Sequence, residues 1–420
     1  MLSSLRSVAK FRKPEFNGDR RRLNKSADIE DLRRLARKRL PAGVFDYIDG
    51  GAEDERTLRR NSRAFEEIGF RPRVLRGIGE VDTSCSLLGR VTPLPFVLAP
   101  TGFTRIADPQ GELAVARVAA RHGLPYALST MGTRTIEEVS AAADSVEWGA
   151  DGERRLWFQI YAWKDRALVK ELIDRAAHES YEAVVLTVDT ALLGRRERDI
   201  RRGMSLPPKL GLGTILDGIR HPGWTRRFLA NPPIVFANVA GNETVGDGSS
   251  VVNLAAYMTS QFDSALSWEE IDWLRSVWDG KLIVKGIQTA ADAAIAAEVG
   301  VEAIALSNHG GRQLDDAPAP IEITAQCREV AGDNMEIIVD GGVRRGSDIV
   351  KARALGADAV MAGRAYLYAL AAAGEQGVDW MLDFFEEGVR RSMTLCGVSS
   401  IEEITAELVT AQTGNEPIGK

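Results

Sequence analysis

The run Ser307-Asn308-His309-Gly310-Gly311-Arg312-Gln313-Leu314-Asp315 sets a histidine three residues before an arginine, with paired glycines between them. An imidazole so placed can act as a general base, and a guanidinium beside it can clamp a carboxylate through two parallel N–H donors. Thr187-Val188-Asp189, followed by Arg195-Arg196, offers further cations and a carboxylate able to hold an imidazolium and raise its pKa. Val284-Lys285-Gly286 puts an ammonium group at the end of an apolar run. Burying it with nothing to neutralise would be costly, so an anionic or electron-accepting partner is expected beside Lys285. Asp340-Gly341-Gly342-Val343-Arg344-Arg345-Gly346 and Gly363-Arg364 join glycine turns to arginines, the composition of a phosphate-binding corner. Pro100-Thr101-Gly102, Ser129-Thr130-Met131 and Gln159-Ile160-Tyr161 carry groups able to hydrogen-bond the edge of a flat heterocycle. With the phosphate corner, they suggest a bound mononucleotide cofactor.

These runs share one context: each closes a short apolar stretch that precedes a helical pattern. The strand candidates are 93–101, 124–130, 155–162, 183–189, 281–286, 303–308, 336–340 and 359–362. Eight such units fit an α/β (β/α)8 TIM barrel of about 250 residues, whose strand C-termini converge on one pocket. The rhythm breaks once, after strand four. Allowing for a helix near Trp268 to Trp278, an insertion of about 190–265 emerges at the face where sites of this fold lie, as a lid or docking segment. Ser26-Ala27-Asp28-Ile29-Glu30 opens a helix that Pro41 ends, an N-terminal helical extension before the barrel. A helical stretch at about 378–395 is expected outside the barrel. The doubly wound alternative lacks its G-x-G-x-x-G fingerprint after every strand candidate. The expected organisation is a basic arm over 1–25 and one barrel domain over 26–420.

The 420 residues carry 53 Lys/Arg against 59 Asp/Glu, a net charge of −6. Residues 1–40 hold thirteen Lys/Arg and five Asp/Glu, so the remainder is strongly acidic. Hydrophobic content of 45% excludes wholly disordered and collagen-like chains. Cys85, Cys327 and Cys396 form no C-x-x-C pair, so a reducing compartment with free thiols and no metal site is expected. No uncharged apolar run reaches about 18 residues, the length of a membrane-crossing helix. Met1 to Lys13 is basic without a long apolar core, which fits a flexible arm rather than a secretory signal. Residues 195–230 carry nine Lys/Arg against three Asp/Glu, interleaved with Leu212, Ile215, Leu216, Ile219, Trp224, Phe228 and Leu229. That pattern suits a membrane-surface anchor or a lid packed on the barrel. Nucleic-acid binding is not expected, since no base-stacking module accompanies the basic residues.

The strand-six motif, Asp340 to Gly346, Thr187 to Asp189 with Arg195-Arg196, and Asp46-Tyr47 through Gly50-Gly51-Ala52-Glu53-Asp54-Glu55 resemble the FMN-dependent L-2-hydroxy acid oxidases and dehydrogenases. The resemblance covers about residues 25–410 and is nearest to the bacterial respiratory, quinone-dependent L-lactate dehydrogenases. It implies His309 as active-site base, Asp189 as the carboxylate orienting it, and Arg312 and Arg196 as binders of the substrate carboxylate. Tyr47 and Tyr161 would bind substrate, Tyr161 also in a catalytic role, and Lys285 would lie beside flavin N1. Thr101, Gly102, Ser129, Gln159, Thr187 and Ser307 match positions around the isoalloxazine or ribityl chain. Asp340, Gly342, Arg344, Gly363 and Arg364 match the ribityl and phosphate site. Gly102 stands where several members have alanine, a change that bears on oxygen reactivity, and Met131 stands where glycolate oxidase has a bulky aromatic, a change that argues against glycolate as the best substrate. The resemblance implies FMN, a small 2-hydroxy acid (L-lactate before glycolate or mandelate), quinone or O2 as acceptor, and a homo-oligomer, expected as a tetramer. It places the protein in the cytoplasm, peripheral on the inner face of the cell membrane. A non-redox phosphate-binding barrel would keep the glycine turns but would not need His309 with both arginines.

Overall fold

The computed structural model describes residues 15–149, 153–203, 211–239 and 260–411. The basic segment Met1 to Lys13 therefore lies outside the described residues, as do 204–210 and 240–259 of the insertion. Eight parallel strands close into a barrel: β1 (Phe96–Leu98), β2 (Tyr126–Ser129), β3 (Leu156–Tyr161), β4 (Ala183–Thr187), β5 (Lys281–Ile287), β6 (Ala303–Ser307), β7 (Glu336–Asp340) and β8 (Ala359–Ala362). Every strand expected from the sequence is present. β1 is much shorter than its 93–101 candidate, which holds Pro93, Pro95 and Pro100, residues with no N–H to give to a ladder.

The strands are apolar on both faces, as parallel strands covered on both sides must be. Side-chain alternation divides them into two cores. One set packs outward on the helices. The other fills the barrel, with Val97, Ala127, Trp157, Val185, Ile283 and Ile338 among its members. The lower end is closed by an antiparallel hairpin, Cys85–Leu87 with Arg90–Thr92, whose Leu87 and Leu88 join the interior core.

Outside the barrel, helix Ile29–Arg39 starts at the Asp28 N-cap, which accepts from Asp31 N at 2.9 Å, and buries Ile29, Leu32 and Ala36. It packs on the fully buried helix Arg364–Ala373, and Arg39 Nε donates to Ala371 O at 2.7 Å. Within the described part of the arm, helix Gly18–Leu23 is tied to the same element through Arg22 Nε and Ala372 O, 2.9 Å apart. The C-terminal helix spans Glu375–Cys396, and Val409–Ala411 pairs with Ile68–Phe70. The described insertion contains helices Glu197–Arg202, Leu212–Arg220 and Pro222–Leu229 and a return limb to 239. Among the described residues no helix is long and apolar enough to cross a membrane.

Candidate active site

Stepping two residues beyond the apolar barrel interior, along the same strand faces, gives Ser129, Gln159, Thr187, Lys285, Ser307 and Asp340. Cross-strand register sets them side by side: Ser129 opposite Gln159, Thr187 opposite Lys285, Ser307 opposite Asp340. They hydrogen-bond in two groups around the mouth. Ser129 Oγ donates to Gln159 Oε1 at 3.0 Å, and Gln159 Nε2 donates to Thr187 Oγ1 at 3.0 Å. Lys285 Nζ lies 2.9 Å from Ser307 Oγ and 2.7 Å from Asp340 Oδ2. Lys285 is thus paired within the protein and needs no bound anion, while it still lines the cleft where the anionic or electron-accepting partner was expected. Burial pushes its pKa down, but Asp340 and then Asp189 outweigh burial and keep it charged.

His309 follows β6 at φ +58, a left-handed conformation that costs energy outside glycine, and Gly310 and Gly311 continue it at +65 and +72. The turn is forced by close neighbours: a Cβ on Gly310 would stand 2.5 Å from Arg364 Nη1, and one on Gly311 2.6 Å from Leu58 N. The turn aims the imidazole at Asp189, with Nδ1 and Oδ1 3.0 Å apart. Burial raises the Asp189 carboxyl, but His309 and Lys285 more than offset it, so the group is held below the ordinary carboxylate range. Gly286 makes room, since a Cβ there would meet Asp189 Cβ at 2.8 Å. With Nδ1 engaged, Nε2 is the nitrogen left for a substrate.

Two arginines meet over one ring. The Arg196 and Arg312 guanidinium carbons lie 5.4 and 5.1 Å from the centre of Tyr47. Arg196 also pairs with Asp199 at 3.2 Å, whereas among the described residues Arg312 Nη1 meets only the carbonyls of Tyr47 and Gly50, at 2.7 and 3.1 Å. Burial and then Arg196 bring the Arg312 pKa down to about 9. Arg364 also has carbonyl partners alone, at Ile48, Gly310 and Gly50. A buried guanidinium with neutral acceptors is stabilised by an anion brought to it. The cleft wall holds five cations, Arg196, Lys285, Arg312, Arg344 and Arg364, against one carboxylate, Asp340.

The cleft encloses about 1530 Å³, including the part open to solvent, and brings together most of the residues expected from the sequence. Tyr47, Thr101, Gly102, Ser129, Gln159, Tyr161, Thr187, Lys285, His309 and Arg312 line one portion, and Asp340, Gly342, Arg344, Gly363 and Arg364 the other. Helix Arg364–Ala373 opens at Gly363 with no side-chain cap, so its first amides are available to a phosphate. Polar groups along one wall and uncapped amides with free guanidinium charge at the other fit flavin mononucleotide. Two expectations need correction. Ser307 does not line the cleft: fully buried, it joins Lys285, Asp340 and the His309 amide. The Thr101 hydroxyl faces Tyr366 Oη at 2.6 Å and Thr104 Oγ1 at 3.1 Å, so it is engaged within the protein although Thr101 lines the cleft.

Other residues of the site escaped the sequence reading. Asp49, 3% exposed, gathers Arg33, Arg198 and Tyr368, at 2.5, 2.9 and 2.8 Å, and fixes the helix end that carries Tyr47 and Gly50. Asn61 and Asn308 exchange amide hydrogen bonds at 2.8 and 2.7 Å beneath the His309 turn. Phe103, Leu193, Phe236 and Phe262 form apolar wall. Of these only Asn308, beside His309 in the motif, had a local signal.

The sequence pattern of FMN-dependent dehydrogenases matches residues 36–411. The chain is 42% identical over 419 residues to a putative L-lactate dehydrogenase of Mycobacterium tuberculosis, covering 100% of this chain and 97% of that protein. It is 38% identical over 380 residues to (S)-mandelate dehydrogenase of Pseudomonas putida, covering 90% and 93%. A solved structure of monotopic membrane protein (S)-mandelate dehydrogenase superposes with a TM-score of 0.86 at 37% identity, covering 92% of this chain and 100% of that one.

Proposed function

The chain belongs to the FMN-dependent dehydrogenases and is an FMN-dependent 2-hydroxy acid dehydrogenase; from that premise we propose that it oxidises a small L-2-hydroxy acid, L-lactate to pyruvate, and passes the electrons to a quinone. The single observation that carries the site reading is the His309–Asp189 pair beside Arg196 and Arg312, the latter held by carbonyls with no carboxylate partner among the described residues.

Arg312 and Arg196 hold the substrate carboxylate, and Tyr47, lying under both guanidiniums, fixes their spacing. Tyr161 flanks the substrate as a neutral hydrogen-bonding group, because burial and then Asp189 push its pKa above the ordinary phenol value. His309 Nε2 accepts a proton as C2 is oxidised, and Asp189 keeps Nδ1–H in place and stabilises the imidazolium. FMN, when bound, takes up the two electrons released in forming the 2-oxo acid. Thr101, Gly102, Ser129, Gln159 and Thr187 would hold its ring side. Gly342, Arg344, Gly363 and Arg364 would hold its phosphate side, with Ser307 and Asp340 positioning Lys285. Lys285, charged although paired with Asp340, would favour the negative charge of the reduced cofactor.

The insertion supports a membrane-facing acceptor. Helices Leu212–Arg220 and Pro222–Leu229 expose Ile215, Leu216, Ile219, Phe228 and Leu229 beside Arg220 and Arg226. This is a basic amphipathic surface suited to the interface of anionic lipid. Trp224 is not part of it, for its Nε1 donates to Ile106 O at 2.8 Å and its ring turns toward the barrel. The named relation to a monotopic membrane protein agrees with a peripheral location. Protein reduced anaerobically with L-lactate and then mixed with a soluble quinone or with air tests the acceptor. Rapid recovery of flavin colour with quinone and slow recovery in air is expected; the reverse assigns oxygen.

A further inference from the structure

The insertion also has an inner limb that the electron-acceptor reading does not use. Residues 231–239 run back over the barrel mouth and dock on the loops after β1 and β2. Ala237 N donates to Gly132 O at 3.1 Å, and Asn238 Oδ1 accepts from Ile136 N at 2.9 Å. Phe236 immediately precedes these contacts, fully buried, with its ring edge-on to Phe103 at 4.5 Å. Phe103 is in turn edge-on to Tyr47 at 6.1 Å, and Tyr161 is backed by Phe262 at 5.3 Å. The wall beyond the carboxylate-binding arginines is therefore apolar: Phe103, Met131, Phe236, Phe262 and Leu193.

Arg105 holds this limb. It is 6% exposed, and its Nη2 donates to Pro232 O at 2.7 Å and Nη1 to Pro233 O at 3.4 Å. Its Nε has no partner among the described residues, and burial lowers its pKa. Buried arginine held by carbonyls alone is costly, so a seat shaped for it stands out. Gly111, at φ +52, forms that seat, because a Cβ there would come within 2.5 Å of Arg105 Cγ. Trp224 ties the insertion to the same turn through Ile106 O.

We infer that Phe236 is a specificity-determining residue for the substrate's C2 substituent, which it confines to an apolar group of limited size, and that Arg105 is the positioning residue that seats it. A 2-hydroxy acid whose carboxylate lies on Arg196 and Arg312 must send its substituent elsewhere, and the free wall next to the Tyr47–Phe103–Phe236 stack is apolar. The inference rests on the 2-hydroxy acid reading above and assigns a second role to the insertion, substrate selection, separate from its outer surface.

The test measures kcat/KM for L-lactate, L-2-hydroxy-4-methylpentanoate and L-mandelate in wild type, Phe236→Ala, Phe236→Leu, Arg105→Met, Arg105→Lys and the double variant Phe236→Ala/Arg105→Met. Phe236→Ala is expected to raise the ratio of large substrate to lactate by about 10–200-fold, the range one or a few methylene-sized changes produce. Phe236→Leu should give a smaller shift and serves if the alanine variant does not fold. Arg105→Met should move the ratio the same way, Arg105→Lys less, and the double variant no further than Phe236→Ala alone. Arg105→Met should also speed tryptic cleavage at Arg226 and Arg227. Unchanged ratios in active, flavin-loaded Phe236 variants overturn the selectivity role. Equal loss on all substrates, or unchanged cleavage, in Arg105→Met overturns the positioning role. Wild type that no member of the series reduces would instead sink the 2-hydroxy acid reading itself.

Discussion

The two ends of the barrel bury the same residue types and close them differently. At the lower end Arg155, 2% exposed, spends its charge on Glu182 at 2.8 Å and its remaining donors on Val91 O and Leu87 O of the plugging hairpin, at 3.1 and 2.9 Å. Trp157 Nε1 joins the same carboxylate at 2.9 Å, and Leu88 N meets both oxygens of Glu336 at 2.8 Å. At the mouth Arg312 and Arg364 have carbonyls for partners and keep their charge. An ion pair completed inside the fold contributes to structure. On the cleft wall, a half-buried cation left with neutral acceptors marks the place of an anion that arrives from outside.

The contrast can be broken most severely at the mouth. His309→Gln should leave FMN bound and slow anaerobic flavin reduction by roughly 10²–10⁴-fold, the usual worth of a general base; stopped-flow bleaching near the wild-type rate would remove His309 from the chemistry. At the lower end Arg155→Met strands Glu182 and should cost about 3–5 kcal/mol in denaturant unfolding, while the folded fraction keeps its reduction rate. If Arg155→Met instead slowed reduction without loss of stability, the division of labour between the ends would fail.

A smaller effect comes from Glu336, whose carboxyl is pushed up to about 7, by burial first and then by Asp358 and Glu182, against the lowering effect of the Leu88 amide. The folded protein holds this proton up to near pH 7, whereas the unfolded chain releases it near 4.5. Stability from this group is therefore complete below about pH 4.5 and lost as pH rises through 7, by roughly 2–3 kcal/mol. Unfolding curves for Glu336→Gln should lack that decline. The smallest effect concerns the outer insertion: Arg226→Ser should weaken binding to anionic vesicles by about 1 kcal/mol, a difference that salt erases. Flotation with no wild-type binding at low salt would count against the membrane surface.

Much of the site was legible because strand periodicity is local. The apolar runs place Ser129, Gln159, Thr187 and Lys285 on one inward face, and the glycine turns after β6, β7 and β8 follow from residues adjacent in sequence. What sequence could not supply were partners brought from far along the chain. Asp340 pairs with Lys285 across the intervening strand β6, Asp49 reaches Arg198 across 149 positions, and Arg105 reaches Pro232 across 127. Lys285 looked unpaired because its carboxylate was 55 residues away. Trp224 misled for a related reason, since amphipathic spacing does not say which apolar side chains turn inward.

The most direct measurement compares anaerobic flavin reduction by L-lactate and by L-lactamide, which keeps the hydroxyl and C2 but not the carboxylate charge. If the charge of Arg312 and Arg196 holds the substrate, L-lactate bleaches the flavin and the amide does so at least about 100-fold less efficiently, the worth of a buried charge-assisted contact. Equal bleaching by both compounds, or bleaching by neither, would contradict it.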